Sequence, residues 1–191
     1  LKQILPSISA ANVDLKAFSE YFYFRLTGSH LQPVLDTLVY LKHETSVWFE
    51  ITTLLIPGHN DSDTEVIAMS QWIRKELGPE VPLHFSAFHP DHKRPEVPAT
   101  PPSTLVRARE LAMKEGLQHV YTGNVRFEPG DTICCPVCQA PLIVRDWYQI
   151  KAYRVTPEGR CPHCGTRLAG RFDAAAGTFG RRRIPVTLGR S

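Results

Sequence analysis

The sequence predicts an α/β unit built on a parallel sheet, open or curled toward a barrel, followed by a small four-cysteine metal ribbon. Three observations lead there. Short β-branched and aromatic runs alternate with segments of helical apolar period, the mark of right-handed βαβ units. One of those runs, Val47 to Ile56, is almost continuously apolar, as a strand covered on both faces must be. Cys135-Pro136-Val137-Cys138 is followed, after a spacer of 22 residues, by Cys161-Pro162-His163-Cys164-Gly165, close to zinc-ribbon spacing.

Ser7 to Lys16 reads as the first strand, apolar at Ile8, Val13 and Leu15, and Ser19 to Leu26 as a short aromatic helix stopped by Gly28. From Leu31 the residues Leu31, Val34, Leu35, Leu38 and Leu41 recur at helical spacing, and Lys42 and His43 place cations in the last turn. Pro57-Gly58 ends the strand over Val47 to Ile56. Ser62 and Glu65 form a capping box for a helix carrying Val66, Ile67, Trp72, Ile73 and Leu77, broken by Gly78-Pro79. Leu83 to Phe88 is a third strand. The loop from His89 to Pro102 holds five prolines, which forbid regular structure. Ser103 is positioned to cap a helix burying Leu105, Ala108, Leu111 and Ala112 as far as Gly116, and Gln118 to Thr122 closes the series as a strand.

Glu128-Pro129-Gly130-Asp131 marks a turn, so the expected organisation is an α/β unit over 1–130, the ribbon over 131–172 and a basic tail over 173–191 that reads as disordered. A chain of 191 residues holds one good-sized core, but a ribbon of this size needs a metal staple. With 42% hydrophobic and 21% charged residues and no long apolar run, the composition excludes a membrane span. The formal charge of +3 is mild and partly due to Arg181, Arg182 and Arg183, so nothing here calls for nucleic acid. The chain begins at Leu1 with no targeting segment, as a piece of a longer protein would, and thiols kept for metal suit a reducing cytoplasm.

Two Cys-x-x-Cys turns can aim four thiolates, from Cys135, Cys138, Cys161 and Cys164, at one ion, and Gly165 lets the chain leave at positive φ. Disulfides or free core thiols are the competing assignment. Four cysteinates bind zinc or iron, zinc being the commoner; Cys134 is either a free thiol or a substitute for Cys135. A closed four-sulfur shell has no open position, so chemistry is expected upstream. In parallel α/β folds it sits at the carboxyl ends of the strands. Asp14 and Lys16 lie two apart there, on one face, and could grip a zwitterion; equally, Asp14 could start a helix while Lys16 reaches for water. Glu50 interrupts an apolar strand and needs either a partner, for which Lys16 is a candidate, or an exposed position at the strand's start. His89 follows the third strand with Asp91 and His92 close by, a weak metal signal and an ordinary hydrogen-bonding site.

Taken as a set, Val13-Asp14-Leu15-Lys16-Ala17-Phe18, Trp48 to Gly58 with Asn60-Asp61, Phe85-Ser86-Ala87-Phe88-His89-Pro90, Tyr121-Thr122-Gly123-Asn124-Val125 and the two cysteine pairs resemble radical S-adenosylmethionine enzymes. The group most similar is the AmmeMemoRadiSam-system proteins, which look like glycyl-radical-enzyme activases. The resemblance runs from Ser7 to Phe172. It implies the C-terminal part of a (βα)6 partial TIM-type barrel followed by a zinc-ribbon or rubredoxin-like module. It also implies a [4Fe-4S] cluster and reductive cleavage of S-adenosylmethionine to a 5′-deoxyadenosyl radical, on a substrate not specified by the sequence. By that match Asp14 and Lys16 approach the methionine moiety, His89 lines the same pocket, and Leu54 to Ile56 pass the adenine with their backbone. Implied partners are S-adenosylmethionine, an N-terminal half, and Memo-like and AMMECR-like proteins.

The family's cluster motif, Cys-x-x-x-Cys-x-x-Cys, is absent. Cys134 to Cys138 has the first spacing, but Pro141 stands where a third ligand belongs. The chain alone is therefore expected to generate no radical, and a half-barrel is expected to expose strand edges that favour association. Two other classes remain: a non-catalytic zinc-ribbon module contacting protein or nucleic acid, and a degenerate remnant of the enzyme. Trp147, Tyr148 and Tyr153 are few for a base-stacking platform, which counts against nucleic acid.

Overall fold

A computed structural model describes residues 4–91, 95–172 and 175–177. The chain divides into two compact units, Leu1–Gly130 and Asp131–Ser191. The first is a four-stranded, all-parallel sheet in the order β1-β2-β3-β4, with β1 at Ala10–Asp14, β2 at Trp48–Leu55, β3 at Leu83–Ala87 and β4 at Val120–Gly123. Sequential strands are spatial neighbours, joined by the helical crossovers that parallel pairing requires.

Each crossover forms for a local reason. Ser19 accepts from the amide of Phe22 and starts α1 (Glu20–Phe22), which continues as a π-helical turn over Tyr23–Thr27 until Gly28, at φ 65°, takes the left-handed conformation that ends it. In α2 (Leu31–Glu44) the apolar face buries Leu35, Leu38 and Leu41. His30 offers α2 no side-chain cap. Glu20 supplies one instead, one carboxylate oxygen accepting from Leu31 N–H at 2.8 Å while the other lies 2.6 Å from His30 Nδ1. α3 (Asp63–Trp72) runs on as a π-helical turn over Ile73–Leu77, and α4 spans Pro102–Lys114. Burial along β2 alternates strictly, with Phe49, Ile51, Thr53 and Leu55 inside and Trp48, Glu50, Thr52 and Leu54 half-exposed. The inner set packs with Leu38, Met69, Ile73, Leu77, Phe85 and Leu105 into the main core.

Several local expectations change. The first strand begins at Ala10 because Leu5–Ser7, with Pro6 restricting φ, close into a 3₁₀ turn. Only half of the expected capping box forms: Ser62 Oγ accepts from Glu65 N–H, but the Glu65 carboxylate reaches Phe18 N–H at 2.7 Å instead of returning to its own helix. Ser103 caps nothing, because α4 already starts at Pro102, whose missing N–H suits a first turn.

The second unit is an antiparallel sheet in the order β5-β6-β7, with β5 at Thr132–Cys134, β6 at Pro141–Asp146 and β7 at Gln149–Tyr153. Its small core holds Cys135, Leu142, Ile143, Val155, Cys161 and Leu168. Apart from 175–177, the tail expected to be disordered lies outside the described residues, as does His92. Among the described residues no helix is long and apolar enough to cross a membrane.

Candidate cofactor edge and metal centre

Because the strands are parallel, Asp14, Leu55 and Ala87 end β1, β2 and β3 at the same edge of the sheet. Asp14 and Lys16 meet there, Nζ to Oδ2 at 2.7 Å, with both side chains open to solvent. The chain that follows β1 is tied down by every neighbour it passes. Thr53, fully buried, donates its hydroxyl to Leu15 C=O at 2.7 Å; Lys16 N–H donates to the Tyr23 hydroxyl at 3.0 Å. Phe18 N–H donates to Glu65 as described, and burial pushes the Glu65 carboxyl up against the lowering effect of that bond, with nearby Asp61 adding to the rise. Burial likewise raises the Tyr23 hydroxyl, with the Lys16 amide pulling the other way.

The residue that joins these pieces is Asn60, which is 1% exposed. Its Nδ2 donates to Lys16 C=O at 2.7 Å and to Leu54 C=O at 2.9 Å, while its Oδ1 accepts from Ile56 N–H at 2.7 Å. One side chain thus spends its hydrogen-bonding capacity on three backbone groups, one after β1 at Lys16 and two at the end of β2 at Leu54 and Ile56. No periodicity could have assigned it this role; the signals are its place soon after the Pro57-Gly58 stop and its presence in the motif set that carries the resemblance. The Leu54 carbonyl and Ile56 amide are therefore engaged within the chain, and the Leu54 and Ile56 side chains are half-exposed. Thr100, also buried, donates to Leu55 C=O at 2.6 Å and accepts from Phe88 N–H at 2.9 Å, anchoring the end of the proline-rich loop to the same edge.

His89 stands just past β3, 76% exposed, its Nδ1 3.4 Å from Asp91 Oδ2. Glu50 does not pair with Lys16. Its Oε2 lies 2.7 Å from His84 Nε2, because the alternation of β2 and β3 puts both on the half-exposed face, while Lys16 is held by Asp14. A cavity of about 240 Å³ opens at the opposite, amino-terminal edge, against Leu5, Ile8, Tyr40 and Val47, and none of the expected site residues lines it.

In the second unit the sulfurs of Cys135, Cys138, Cys161 and Cys164 all lie within 4.8 Å of one another, and none of these four is in a disulfide. Cys135–Cys164 is 3.5 Å and Cys138–Cys161 3.6 Å. A tetrahedral ion with metal–sulfur bonds of about 2.3 Å spaces its sulfurs about 3.8 Å apart, so the donor set fits one ion with little movement. The two knuckles repeat one backbone design. Cys135 N–H donates to Ala140 C=O and Gln139 N–H to Cys135 C=O; Cys161 N–H donates to Thr166 C=O and Gly165 N–H to Cys161 C=O. The fifth residue of each turn is left-handed, Gly165 at φ 73° and Gln139 at φ 58°. Gly165 announces that conformation in the sequence, whereas Gln139 adopts it because the fold compels it.

The surroundings act on the thiols in opposite directions. The Thr166 hydroxyl, 3.1 Å away, and the Thr166 amide hold Cys164 down to about 6. Cys138 accepts from the Ala140 amide, which lowers it, but desolvation and the sulfurs of Cys164, Cys135 and Cys161 outweigh this and push it up to about 12. A divalent ion resolves the conflict by replacing the thiol protons.

Part of this chain shares its fold with a domain of a pyruvate-formate lyase-activating enzyme from Bacteroides vulgatus. The TM-score is 0.56, over 64% of this chain and 72% of that one, at 11% identity, and identity this low shows a common fold and nothing finer. In sequence, 162 residues are 41% identical to an uncharacterized protein of Methanocaldococcus jannaschii. That match takes in 84% of this chain and 48% of the relative, so the chain spans about half the length of the curated relative it matches. No family model matches.

Proposed function

We propose that this chain is the C-terminal portion of a radical S-adenosylmethionine enzyme, residues 1–130 being part of a (βα)6 barrel and 131–172 a structural zinc ribbon. The observation that carries the reading is the Asp14–Lys16 pair, held beside Leu54 and Ile56 by Asn60 at the carboxyl edge of a parallel sheet. An ammonium and a carboxylate 2.7 Å apart complement a zwitterion: Asp14 receives the ligand's ammonium and Lys16 its carboxylate. Opening an exposed ion pair costs no more than about 1 kcal/mol, so the pair is easily exchanged for the ligand. Leu54 and Ile56 offer apolar surface to an adenine, and His89 a polar contact from the next strand. A [4Fe-4S] cluster, held by residues outside this chain, would supply the electron for cleaving S-adenosylmethionine.

Calorimetry of S-adenosylmethionine against the chain tests this. Binding is expected to fall about tenfold or more in Asp14→Asn and in Lys16→Met, each losing a charge-assisted contact. Binding that ignores both substitutions refutes the assignment. The zinc-ribbon module reading draws on the exposed Trp147 and Tyr148 at the turn between β6 and β7. It requires steeply salt-dependent capture of RNA or DNA by the chain, or of a protein partner through that turn.

A further inference from the structure

The sheet face that carries Asp14 carries a second polar group with no part in the reading above. Trp48, Glu50, Thr52 and Leu54 of β2 share that face with His84 and Ser86 of β3 and with Tyr121 of β4. Register sets Asp14, Thr52, His84 and Tyr121 in one cross-strand row. With strands about 4.8 Å apart, the backbone of His84 lies about 10 Å from that of Asp14, close to the expected cofactor and still separate from it.

Glu50 and His84 form a bonded pair, Oε2 to Nε2 at 2.7 Å, with side chains 38% and 24% exposed. Trp48 Nε1–H donates to Glu50 Oε1 at 3.4 Å, and the Tyr121 ring lies 5.1 Å from the imidazole, centroid to centroid. A carboxylate only accepts, so it keeps the proton on Nε2 and leaves Nδ1 with a free lone pair. Among the described residues nothing occupies that Nδ1. Carboxylate-oriented imidazoles of this kind act as acceptors toward a ligand.

A second, independent observation comes from His119, close enough to Glu50 to feel its charge. His119 immediately precedes β4, and its carbonyl accepts from Leu83 N–H. It is 6% exposed, and among the described residues its Nε2 has no hydrogen-bond partner. Burial lowers its pKa, while the carboxylates of Glu50 and Glu80 act in the opposite direction from nearby. A buried imidazole nitrogen left unpaired marks the place of a polar atom supplied from outside the chain.

We propose that Glu50 and His84 form a hydrogen-bond-accepting dyad for the substrate, with Nδ1 of His84 receiving an O–H or N–H of a small polar organic molecule and His119 meeting a second polar atom of it. The placement beside Asp14 rests on the radical-enzyme reading; the dyad itself does not. Trp48 and Tyr121 flank the dyad with aromatic surface, which suits a flat or hydroxylated ligand.

Two measurements on the labelled chain decide it. Long-range proton–nitrogen spectra should show His84 as the Nε2–H tautomer with a bare Nδ1, and a mixture of tautomers in Glu50→Leu. p-Fluorophenol, followed by its fluorine signal, should broaden in the presence of the wild-type chain and bind about tenfold more weakly to His84→Phe, the worth of one hydrogen bond. An Nδ1–H tautomer in the wild type, no broadening, or broadening that His84→Phe leaves unchanged overturns the proposal. Neither measurement involves S-adenosylmethionine. A chain that holds the probe and ignores the cofactor sinks the radical reading alone, and the converse sinks the dyad alone.

Discussion

The two units reach a buried interior by different physics. In Leu1–Gly130, twenty-two described residues, almost all aliphatic or aromatic, close a core between one sheet face and its helices, with no titratable group among them. The core of Asp131–Ser191 has six described members, two of which are Cys135 and Cys161. Apolar burial stabilises the first at about 25 cal/mol per Å², whereas in the second the area is too small for that term to outweigh chain entropy. Cys135 and Cys161 are core residues and members of a donor set that fits one ion, so the second unit is expected to draw on an ion where the first draws on area.

The largest expected effect separates the units outright. Removing the metal with a chelator, or introducing Cys161→Ser, should cost the second unit its fold, since structural zinc contributes on the order of 10 kcal/mol or more. Hydrogen exchange read along the chain should rise over 131–172 and stay unchanged in β2 and α2. A Cys161→Ser chain that keeps one metal ion and its exchange protection would show that four sulfurs are not the ligand set. Sulfide and iron found together in place of zinc would point to a cluster and change the metal assignment.

A smaller effect of opposite location is expected for Asn60→Leu. It strands Lys16 C=O, Leu54 C=O and Ile56 N–H at about 1–3 kcal/mol each when buried, so a loss of about 3 kcal/mol or more in the urea denaturation of the first unit should appear while the metal content stays the same. S-Adenosylmethionine binding should fall with it.

The smallest effect is a pH dependence. Glu65 has its folded pKa raised, chiefly by burial, so the folded chain holds this proton to a higher pH than the unfolded chain does. Stability from this group is complete below the unfolded value, about 4.3, and is lost as pH rises through the raised folded value. Glu65→Gln keeps an acceptor for Phe18 N–H and removes the ionisation. Its denaturation midpoint should therefore gain on the wild type between about pH 4 and pH 7, and a constant difference across that range would contradict the buried-carboxylate account.

Much of this was readable from residue order. The helix over Leu31–Glu44 follows from apolar residues every three or four positions, and β2 from a run of ten with hardly a polar interruption. Ser19, Ser62 and Gly28 mark helix ends because capping is a contact between close neighbours in sequence. The four metal-site cysteines announce themselves for the same reason, since each knuckle is a five-residue turn whose chemistry is local. Glu65 and Glu50 mark where such reading stops. A carboxylate three residues after Ser62 has a local use, and only the packing of α3 against the segment after β1 makes Phe18 N–H the better one.

By itself, then, the order of residues determined the parallel α/β class, the order of elements in the first unit and the grouping of the four cysteines, all of which depend on periodicity or on separations of a few residues. Tertiary structure decided the rest: that Asn60 joins Lys16 to Leu54 and Ile56, that Glu50 belongs to His84 and not to Lys16, that His119 is buried with an unpaired nitrogen, and that Gln139 takes the left-handed turn Gly165 takes. Each of these is a meeting of groups from different strands or a conformation imposed from outside. Strand register and helix packing alone set such separations, and no local propensity encodes them.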